Sequence, residues 1–481
     1  MIKILLGTLL LLIGNVCHAE DITIRYNGSS AKVKQTTRDS VKVTVKGAHV
    51  SIENLYKDHK LTLLLKGESN DGQLVLKTDG KAKIKLDGLN LTSQEGAPLE
   101  LKNKKKVEVV AVKGTKNTLT VTACNDTVNH KAAVIWAKGK LQLSGKGALN
   151  IIATGDGCRG IKTKKDITIE ELTLNVTTSG NHLGEKPFTF GGFPGMPEGG
   201  FKMPEGGFPN FGGFPMPNDS IMQGGFPNFG GFPMPNDSIM QGGFPGKHKY
   251  VASTKGIASK GKITFNSGNV TVRTSTAGAE GIEGKDGIVF NGGNIDVMTT
   301  DDAINANATI EFNGANVIAR STGNDAVDSN PKGGFFMPFG GNNNQEDTDP
   351  AIIIRGGTVY AWSQVGSPEE GLDCDFAPLV VEGGTIFTVG GGMGEMPSVP
   401  TNKTAKQPTV LLIGANIVEN EPVNIYDAGG KLIHAVTVPF SMKRSASLVS
   451  SPAFKLGSTY TVKTKGYEKT FTLSETFTTL R

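Results

Sequence analysis

Cysteine, tryptophan and long apolar segments are all scarce in this 481-residue sequence. Its four cysteines include no CxxC pair, so neither a disulfide framework nor a zinc site is indicated. A bridge between Cys124 and Cys158 is left open. Beyond the N-terminal segment no stretch is apolar and long enough to cross a bilayer, so the protein is expected not to span a membrane. Clusters that combine aromatic and basic residues are few, which argues against nucleic acid as a partner.

The N-terminal segment has the pattern of a secretory leader. Lys3 precedes the apolar run Ile4–Ile13, and Cys17-His18-Ala19 resembles a cleavage site. We therefore expect residues 1–19 to be a signal peptide and the mature chain to be secreted, in an extracellular or periplasmic location. Association with the cell surface is left open, as is a lipoprotein anchored through Cys17.

A repeat in the low twenties of residues organises the rest of the chain. One apolar anchor recurs at Ile161, Ile257, Ile282, Ile304, Val327 and Leu372. The spacing from Ile257 is 25 residues, then 22, then 23. Such a period marks stacked supersecondary units. The 64 glycines and the short runs of Val, Ile and Thr favour strands joined by tight turns over helices.

Each repeat contains three short stretches, and apolar residues alternate within the longer two. Alternation predicts strands with one buried face. In the third strand, five residues should point inward: Val270, Ile295, Val317, Val359 and Ile386. Their neighbours Tyr360 and Phe387 should point outward. The sequence therefore predicts an all-β fold, a right-handed parallel β-helix with three strands per coil and low-complexity loop insertions.

The domain boundaries follow from where the repeat holds. The expected segments are the signal peptide at 1–19, an N-terminal β region of degenerate coils or a capping sheet at 20–125, the parallel β-helix at 126–419 and a small C-terminal β cap at 420–481. Two inserts rich in Gly, Pro, Phe and Met interrupt the coils at about 180–249 and 333–349. Their composition cannot form a packed core, so we expect flexible loops whose role is left open.

Acidic residues flank the anchor in four successive coils. They stand two residues before it at Glu280, Asp302, Asp325 and Glu370, and one residue after it at Glu283, Asn305, Asp328 and Asp373, with Asp301 beside them. Carboxylates on adjacent coils, roughly 4.8 Å apart, repel by about 3–4 kcal/mol at an effective dielectric of 20. Ca²⁺ accepts six to eight oxygen ligands and would offset this repulsion. The alternative is a solvated acidic edge with slightly raised pKa values.

The run GIEGKDGIVFNGGNIDVMTTDDAINANATIEFNG, followed by DAVDSN, resembles the bacterial carbohydrate-binding β-helix family whose founding members bind polygalacturonate with calcium. The resemblance covers about residues 130–390. It implies a parallel β-helix that binds an acidic, pectin-like polysaccharide without cleaving it. The calcium ligands that it implies are Glu280, Glu283, Asp301, Asp302, Asp325, Asp328 and Asp373. Asn305 departs from an all-acid set, which puts that position in doubt.

Two other functional classes remain open from the sequence. Calcium-dependent pectate lyases share the fold and need a cationic base beside the metal, for which Arg320 and Arg355 are the candidates. A structural or adhesive surface protein would need no specific sugar. The candidate carbohydrate contacts are Tyr360, Trp362 and Arg320, because the two aromatic residues face outward and can stack on a sugar ring. The alternative for the two aromatic residues is burial under the C-terminal cap. The oligomeric state is not predicted.

Overall fold

The structure, a computed structural model, describes residues 21–36, 41–55, 57–58, 60–123, 131–186, 249–331, 349–374, 377–392 and 397–481. The expected signal peptide, most of the larger insert and nearly all of the smaller one lie outside these ranges, as does Asp375. The described residues belong to two compact units, one within Met1–Asn181 and Ala252–Arg481 and the other within His182–Val251. Cys158 is disulfide-bonded, and its expected partner Cys124 lies outside the described residues.

The first ten strands combine two antiparallel hairpins with parallel pairing. They are β1 (Ile22–Asn27), β2 (Ser30–Gln35), β3 (Val41–Lys46), β4 (His49–Asn54), β5 (Leu61–Ser69), β6 (Gln73–Thr78), β7 (Ala82–Ser93), β8 (Leu99–Asn103), β9 (Val107–Ala111) and β10 (Lys116–Val121). The pairs β1–β2 and β3–β4 are antiparallel hairpins. The series β1–β5–β7–β9 and β4–β6–β8 are parallel. Parallel pairing therefore begins with the first described strand.

The strands that follow repeat in groups of three. They are β11 (Ala133–Ala137), β12 (Leu141–Ser144), β13 (Ala148–Ala153), β14 (Arg159–Thr163), β15 (Ile167–Glu170), β16 (Thr173–Thr178), β17 (Leu183–Lys186), β18 (Lys249–Ala252), β19 (Ile257–Ser259), β20 (Ile263–Phe265), β21 (Asn269–Thr274), β22 (Ile282–Gly284), β23 (Ile288–Phe290), β24 (Asn294–Thr299), β25 (Ile304–Ala306), β26 (Ile310–Phe312), β27 (Asn316–Ser321), β28 (Val327–Ser329), β29 (Ile352–Ile354), β30 (Thr358–Ser363), β31 (Leu372–Asp373), β32 (Leu379–Val381) and β33 (Thr385–Val389). Strands β17 and β18 pair with each other in a two-stranded sheet.

Apart from β17 and β18, these strands belong to two long sheets. Among the described residues, the first strand of each group joins an 11-stranded sheet, and the other two join a 23-stranded sheet. The predicted anchors are register partners in the 11-stranded sheet, from Ile161 through Ile257, Ile282, Ile304 and Val327 to Leu372. All are buried, as are the five residues of the third strand that were predicted to point inward. The all-β class with long parallel sheets is confirmed, and the described residues contain no helix.

Asparagine rows run along the coils on the outside of the 23-stranded sheet. The Asn291 amide donates to Asn266 at 3.0 Å, and Asn313 donates to Asn291 at 2.9 Å. A second row, Asn269, Asn294 and Asn316, has donor–acceptor distances of 2.9 and 3.0 Å. In both rows, each side-chain amide is hydrogen-bonded to the amide of the neighbouring strand, in the same direction as the backbone hydrogen bonds between the strands.

An inward row of three phenylalanines fills the core beneath these coils. Phe290 stacks between Phe265 and Phe312, with ring centroids 4.9 and 5.0 Å apart and planes within 9° of parallel. We expect Phe290→Leu to lower the free energy of unfolding by about 1–3 kcal/mol, because it removes two aromatic contacts and changes the shape of a buried side chain. Urea unfolding measures this loss. The half-buried control Phe440→Leu should cost less, and an equal cost would contradict the importance of the stack.

The C-terminal strands pair with and pack against the last strands of the 23-stranded sheet. They are β34 (Thr409–Ile417), β35 (Pro422–Asp427), β36 (Leu432–Thr437), β37 (Met442–Ser450), β38 (Thr459–Thr464), β39 (Tyr467–Thr472) and β40 (Phe477–Leu480). β37 pairs antiparallel with β33 and β34, and β35, β36, β38 and β39 form a four-stranded sheet. Phe387 lies on the outer face of β33, as predicted, but it is 0% exposed, because these strands pack on that face.

The part of the chain that the structure describes contains no helix that is both long and apolar enough to pass through a membrane.

Candidate functional site

The nine predicted calcium ligands lie along one edge of the 11-stranded sheet. We call them the acidic column: Glu280, Glu283, Asp301, Asp302, Asn305, Asp325, Asp328, Glu370 and Asp373. Strand register places Glu283 opposite Asn305, Asn305 opposite Asp328, and Asp328 opposite Asp373. The parallel pairing of β22, β25, β28 and β31 therefore aligns the residues that follow the anchor in one row.

A lysine neutralises the upstream end of the acidic column. The Lys255 ammonium lies 2.7 Å from Glu280 Oε2 and 2.7 Å from Glu283 Oε1, and all three side chains are largely buried. Lys285 Nζ lies 2.7 Å from the same oxygen of Glu283. Burial opposes ionisation of Glu283, but the charges of Lys255 and Lys285 outweigh it and lower its pKa to about 2. These two carboxylates therefore already have cationic partners.

Amide groups hold the middle of the column. Asn305 Nδ2 donates to Asp302 Oδ2 and to Asp328 Oδ2, both at 2.8 Å. Asn330 Nδ2 donates to both oxygens of Asp328, at 2.7 and 2.8 Å. Asp302 is 2% exposed, and its Oδ1 atom has no hydrogen-bond partner. Burial, with the nearby charge of Asp328, raises the pKa of Asp302 well above its usual range.

The downstream end relies on backbone donors. Asp325 Oδ1 accepts from the Glu370 N–H at 2.5 Å, and Glu370 Oε2 accepts from the Ser398 N–H at 2.6 Å. Burial, with the charge of Asp373, raises the pKa of Asp325 to about 9. Asp301 is half-buried and accepts from Asn324 Nδ2 at 2.8 Å. No cationic side chain lies within 4.0 Å of the Asp325 carboxylate among the described residues.

The acidic column fits calcium at its centre and downstream end better than at its upstream end. Its oxygen-only donors suit a hard cation, and Asp302 Oδ1 is a buried acceptor without a donor. Glu280 and Glu283 do not need an ion, because Lys255 supplies their counter-charge. Within the described ranges, no three His, Cys, Asp or Glu side chains converge on one point as metal ligands. An ion here would also need amide or backbone oxygens, or those of a ligand.

The predicted aromatic contacts lie beneath the C-terminal strands. Trp362 is 4% exposed, stacks on Tyr360 with centroids 5.8 Å apart and meets Phe440 edge-on at 6.5 Å. Tyr360 is half-buried and meets His434 edge-on at 6.2 Å. The structure thus places the Trp362 ring inside an apolar cluster, where it cannot stack on a sugar without movement of the covering strands.

The candidate lyase bases are both ion-paired and belong to the other sheet. Arg320 Nη2 lies 3.1 Å from Asp296 Oδ1, and Arg273 binds the second oxygen of that carboxylate at 2.6 Å. Arg355 lies 2.6 Å from Glu311 and 3.1 Å from Glu382. Arg320 lies in β27 and Arg355 directly follows β29, both in the 23-stranded sheet, whereas the acidic column flanks the 11-stranded sheet. The structure does not bring either base together with the acids.

Lys255 is the residue of this site that the sequence pattern did not assign. It occupies the position two residues before the anchor Ile257, which is the position that Glu280 and Asp302 hold in the following coils. The alignment of Lys255 with these acids was the feature of the sequence that could have identified it as part of the site. Its role was not apparent, because the pairing depends on a long side chain reaching across to the next coil.

Comparison with known proteins relates this chain to carbohydrate-binding domains. A family model described as carbohydrate-binding domain-containing protein matches residues 47–186 and 244–329, just under half of the chain. A curated protein of the same description from Acetivibrio thermocellus is 25% identical over 162 residues, covering 32% of this chain. The chain spans about half (54%) of that relative's length. A solved structure of a polysaccharide lyase-like protein from C. thermocellum aligns with a TM-score of 0.40 and 17% identity, covering 62% of this chain and 90% of its own.

Proposed function

We propose that this protein is a secreted, non-catalytic carbohydrate-binding protein that takes an acidic polysaccharide through calcium held in the acidic column. The matched family model and the curated relative are both described by carbohydrate binding, which supports the general class. The pattern of residues 1–19 supports export. We further propose that the parallel strands wind as a right-handed helix of three strands per coil, with the C-terminal strands capping its end.

The observation that carries the calcium proposal is the unpartnered, buried Oδ1 atom of Asp302. It lies in a row with Asp325 and Asp328, where the side-chain amides of Asn305 and Asn330 and the Glu370 N–H donate to the carboxylates. A buried acceptor without a donor costs about 1–3 kcal/mol, and more if it is charged. Calcium would supply the counter-charge that Lys255 supplies upstream, and its remaining coordination positions would accept uronate carboxylates.

The ion pairs of Arg320 and Arg355 favour binding over cleavage. A general base must reach the proton it removes and be able to accept it. Both guanidinium groups are instead held by carboxylates on neighbouring strands, away from the acidic column. We therefore propose that bound polymer stays intact, with calcium bridging acids of the protein and of the sugar.

The substitution Asp302→Asn should abolish most calcium uptake by the purified mature protein. It keeps the shape of the side chain and removes the charge and one oxygen that the ion would use. We expect calcium affinity to fall by about tenfold or more, equivalent to about 1.4 kcal/mol or more. Calorimetric titration with calcium measures it, followed by titration with polygalacturonate while the absorbance of unsaturated product is recorded.

Asp286→Asn is the matched control, because Asp286 is an exposed acid at the turn after β22. Equal calcium affinity in both variants would remove Asp302 from the site, and absence of calcium uptake by the wild type would refute the calcium proposal. Growth of product absorbance would instead identify a lyase.

A further inference from the structure

A lysine-rich groove lies on the 11-stranded sheet upstream of the acidic column. Its volume is about 510 Å³, and the buried ring of Trp136 forms part of its lining. Asp79 also lines it and pairs with Lys104 at 2.9 Å. Six lysines line it: Lys77, Lys102, Lys104, Lys131, Lys138 and Lys164. The sheet therefore carries opposite charge at its two ends, since the same strand series continues from β6 and β8 to β22 and β25.

Strand register arranges most of these lysines in a single row, which we call the lysine column: Lys77, Lys102, Lys138, Lys164, Lys260 and Lys285. Lys77 pairs with Lys102 in the register of β6 and β8. The other positions are aligned by backbone bonds from Lys138 N to Leu101 O, Lys164 N to Ala137 O, Lys260 N to Thr163 O and Lys285 N to Ser259 O. Successive ammonium groups therefore start from backbone positions roughly 4.8 Å apart.

The middle of the lysine column has no counter-ions. At its ends, Lys77 lies 2.5 Å from Glu53, Lys102 lies 3.2 Å from Glu100, and Lys285 pairs with Glu283. In contrast, the part of the chain that the structure describes offers no carboxylate within 4.0 Å of the three ammonium groups in the middle of the column, those of Lys138, Lys164 and Lys260. Several like charges on successive coils repel one another, so an anion lying along them would be favoured.

Trp136 supplies a second, independent observation. It is 3% exposed, and its indole N–H has no hydrogen-bond acceptor. Lys164 Nζ lies 6.0 Å from the centroid of its ring, on the groove side. A buried donor without an acceptor is destabilising by about 1–3 kcal/mol. An oxygen atom of a ligand could accept this hydrogen bond once the flexible lysine side chains above the ring move aside.

We propose that the lysine-lined groove is a second polysaccharide-binding site, one that binds carboxylated sugars directly and without calcium. Successive carboxylates of the polymer pair with Lys138, Lys164 and Lys260, and a ligand oxygen accepts the Trp136 N–H. The regular axial row fits a linear polymer that repeats one negative charge per unit. The choice of a carboxylated sugar as ligand rests on the proposed function, whereas the site itself is separate from the acidic column.

The test is binding of polygalacturonate in the presence of EDTA, measured by calorimetry on the full mature protein. Wild type should bind, and Lys138→Gln/Lys164→Gln should bind about tenfold more weakly. The control Lys443→Gln/Lys455→Gln removes two exposed charges from the C-terminal region and should leave affinity unchanged. Circular dichroism confirms that each variant is folded. Fully methyl-esterified polymer, which lacks the charges, should not bind in EDTA.

The tryptophan fluorescence of Trp362→Phe gives a second readout, because Trp136 is then the one tryptophan in the chain. Polygalacturonate in EDTA should shift its emission. Loss of all binding in EDTA, equal binding by both double variants or equal binding of an oligonucleotide would overturn the proposal. None of these results touches calcium-dependent binding, which Asp302→Asn tests, so the two proposals fail separately.

Discussion

In calcium-free buffer, the free energy of unfolding of the wild-type protein should fall as the pH rises from about 5 to about 7, and Asp325→Asn should remove part of this slope. Burial and the nearby Asp373 raise the folded-state pKa of Asp325 from 3.8 to about 9. The unfolded chain releases this proton near the ordinary aspartate pKa of 3.8, whereas the folded chain retains it to much higher pH. The stabilisation is therefore complete below about pH 4 and is lost as the pH rises towards about 9.

The size and range of this effect follow from the pKa values. One such group changes the free energy of unfolding by up to about 1.4 kcal/mol per pH unit, or about 3 kcal/mol between pH 5 and pH 7. Above about pH 7 the opposite effect enters, because burial and the charge of Arg159 lower the pKa of Lys162 to about 7. The folded chain then holds fewer protons than the unfolded chain at that site, and stability rises with pH.

Urea unfolding at several pH values, with EDTA, compares wild type with Asp325→Asn and with the exposed control Asp286→Asn. The control should keep the wild-type slope. Calcium should flatten the slope of the wild type, because an ion replaces the proton, and an ion at 100 times its Kd adds about 2.7 kcal/mol. Identical slopes for wild type and Asp325→Asn would show that Asp325 ionises normally in the folded protein.

Replacing Lys255 should be among the most destabilising single changes in this chain. Lys255→Met keeps the apolar stem but leaves the buried carboxylates of Glu280 and Glu283 without their shared cation. Breaking a buried ion pair from one side costs about 3–5 kcal/mol, because a buried charge stays uncompensated. We expect a loss of that order near neutral pH and a smaller loss when Glu280 can take a proton. Urea unfolding of the calcium-free protein measures both.

Two further variants separate the ion pair from the side chain itself. Lys260→Met removes the exposed lysine that directly follows β19 and should change the free energy of unfolding by less than about 0.5 kcal/mol. The double variant Lys255→Met/Glu280→Gln should recover part of the loss. If Lys255→Met costs no more than Lys260→Met, the two glutamates do not depend on the lysine. A smaller loss in calcium would indicate that the ion can take its place.

The repeat and the buried rows could be predicted from the sequence because they depend on local spacing alone. Each coil must bury the anchor at the same point, so Ile282 and Ile304 keep the same position within their repeats. The row Asn266, Asn291 and Asn313 follows from the same spacing. The lysine three residues after the anchor, as at Lys164, Lys260 and Lys285, has the same spacing, but an exposed position adds nothing to the apolar pattern from which the coils are recognised.

The exposure of Trp362 and Phe387 could not be predicted in the same way. Alternation along β30 and β33 identifies their outer face, but residues some 80 positions later determine what covers it, as Phe440 does at the ring of Trp362. The composition of the acidic column was also visible in the sequence. The sequence did not show which of these carboxylates have counter-charges. Lys255 pairs with them through the length of its side chain and not through backbone register.

The constant register of the coils also bears on how such a surface can evolve. Copying one unit of 22 to 25 residues would insert a complete coil and lengthen the row of lysines or acids by one side chain, without disturbing its neighbours. Gain or loss of a single residue inside a strand would instead turn every later side chain of that strand to the opposite face. Duplication of a repeat can therefore lengthen a charged surface by one side chain at a time, and each added side chain has the same charge as the one copied.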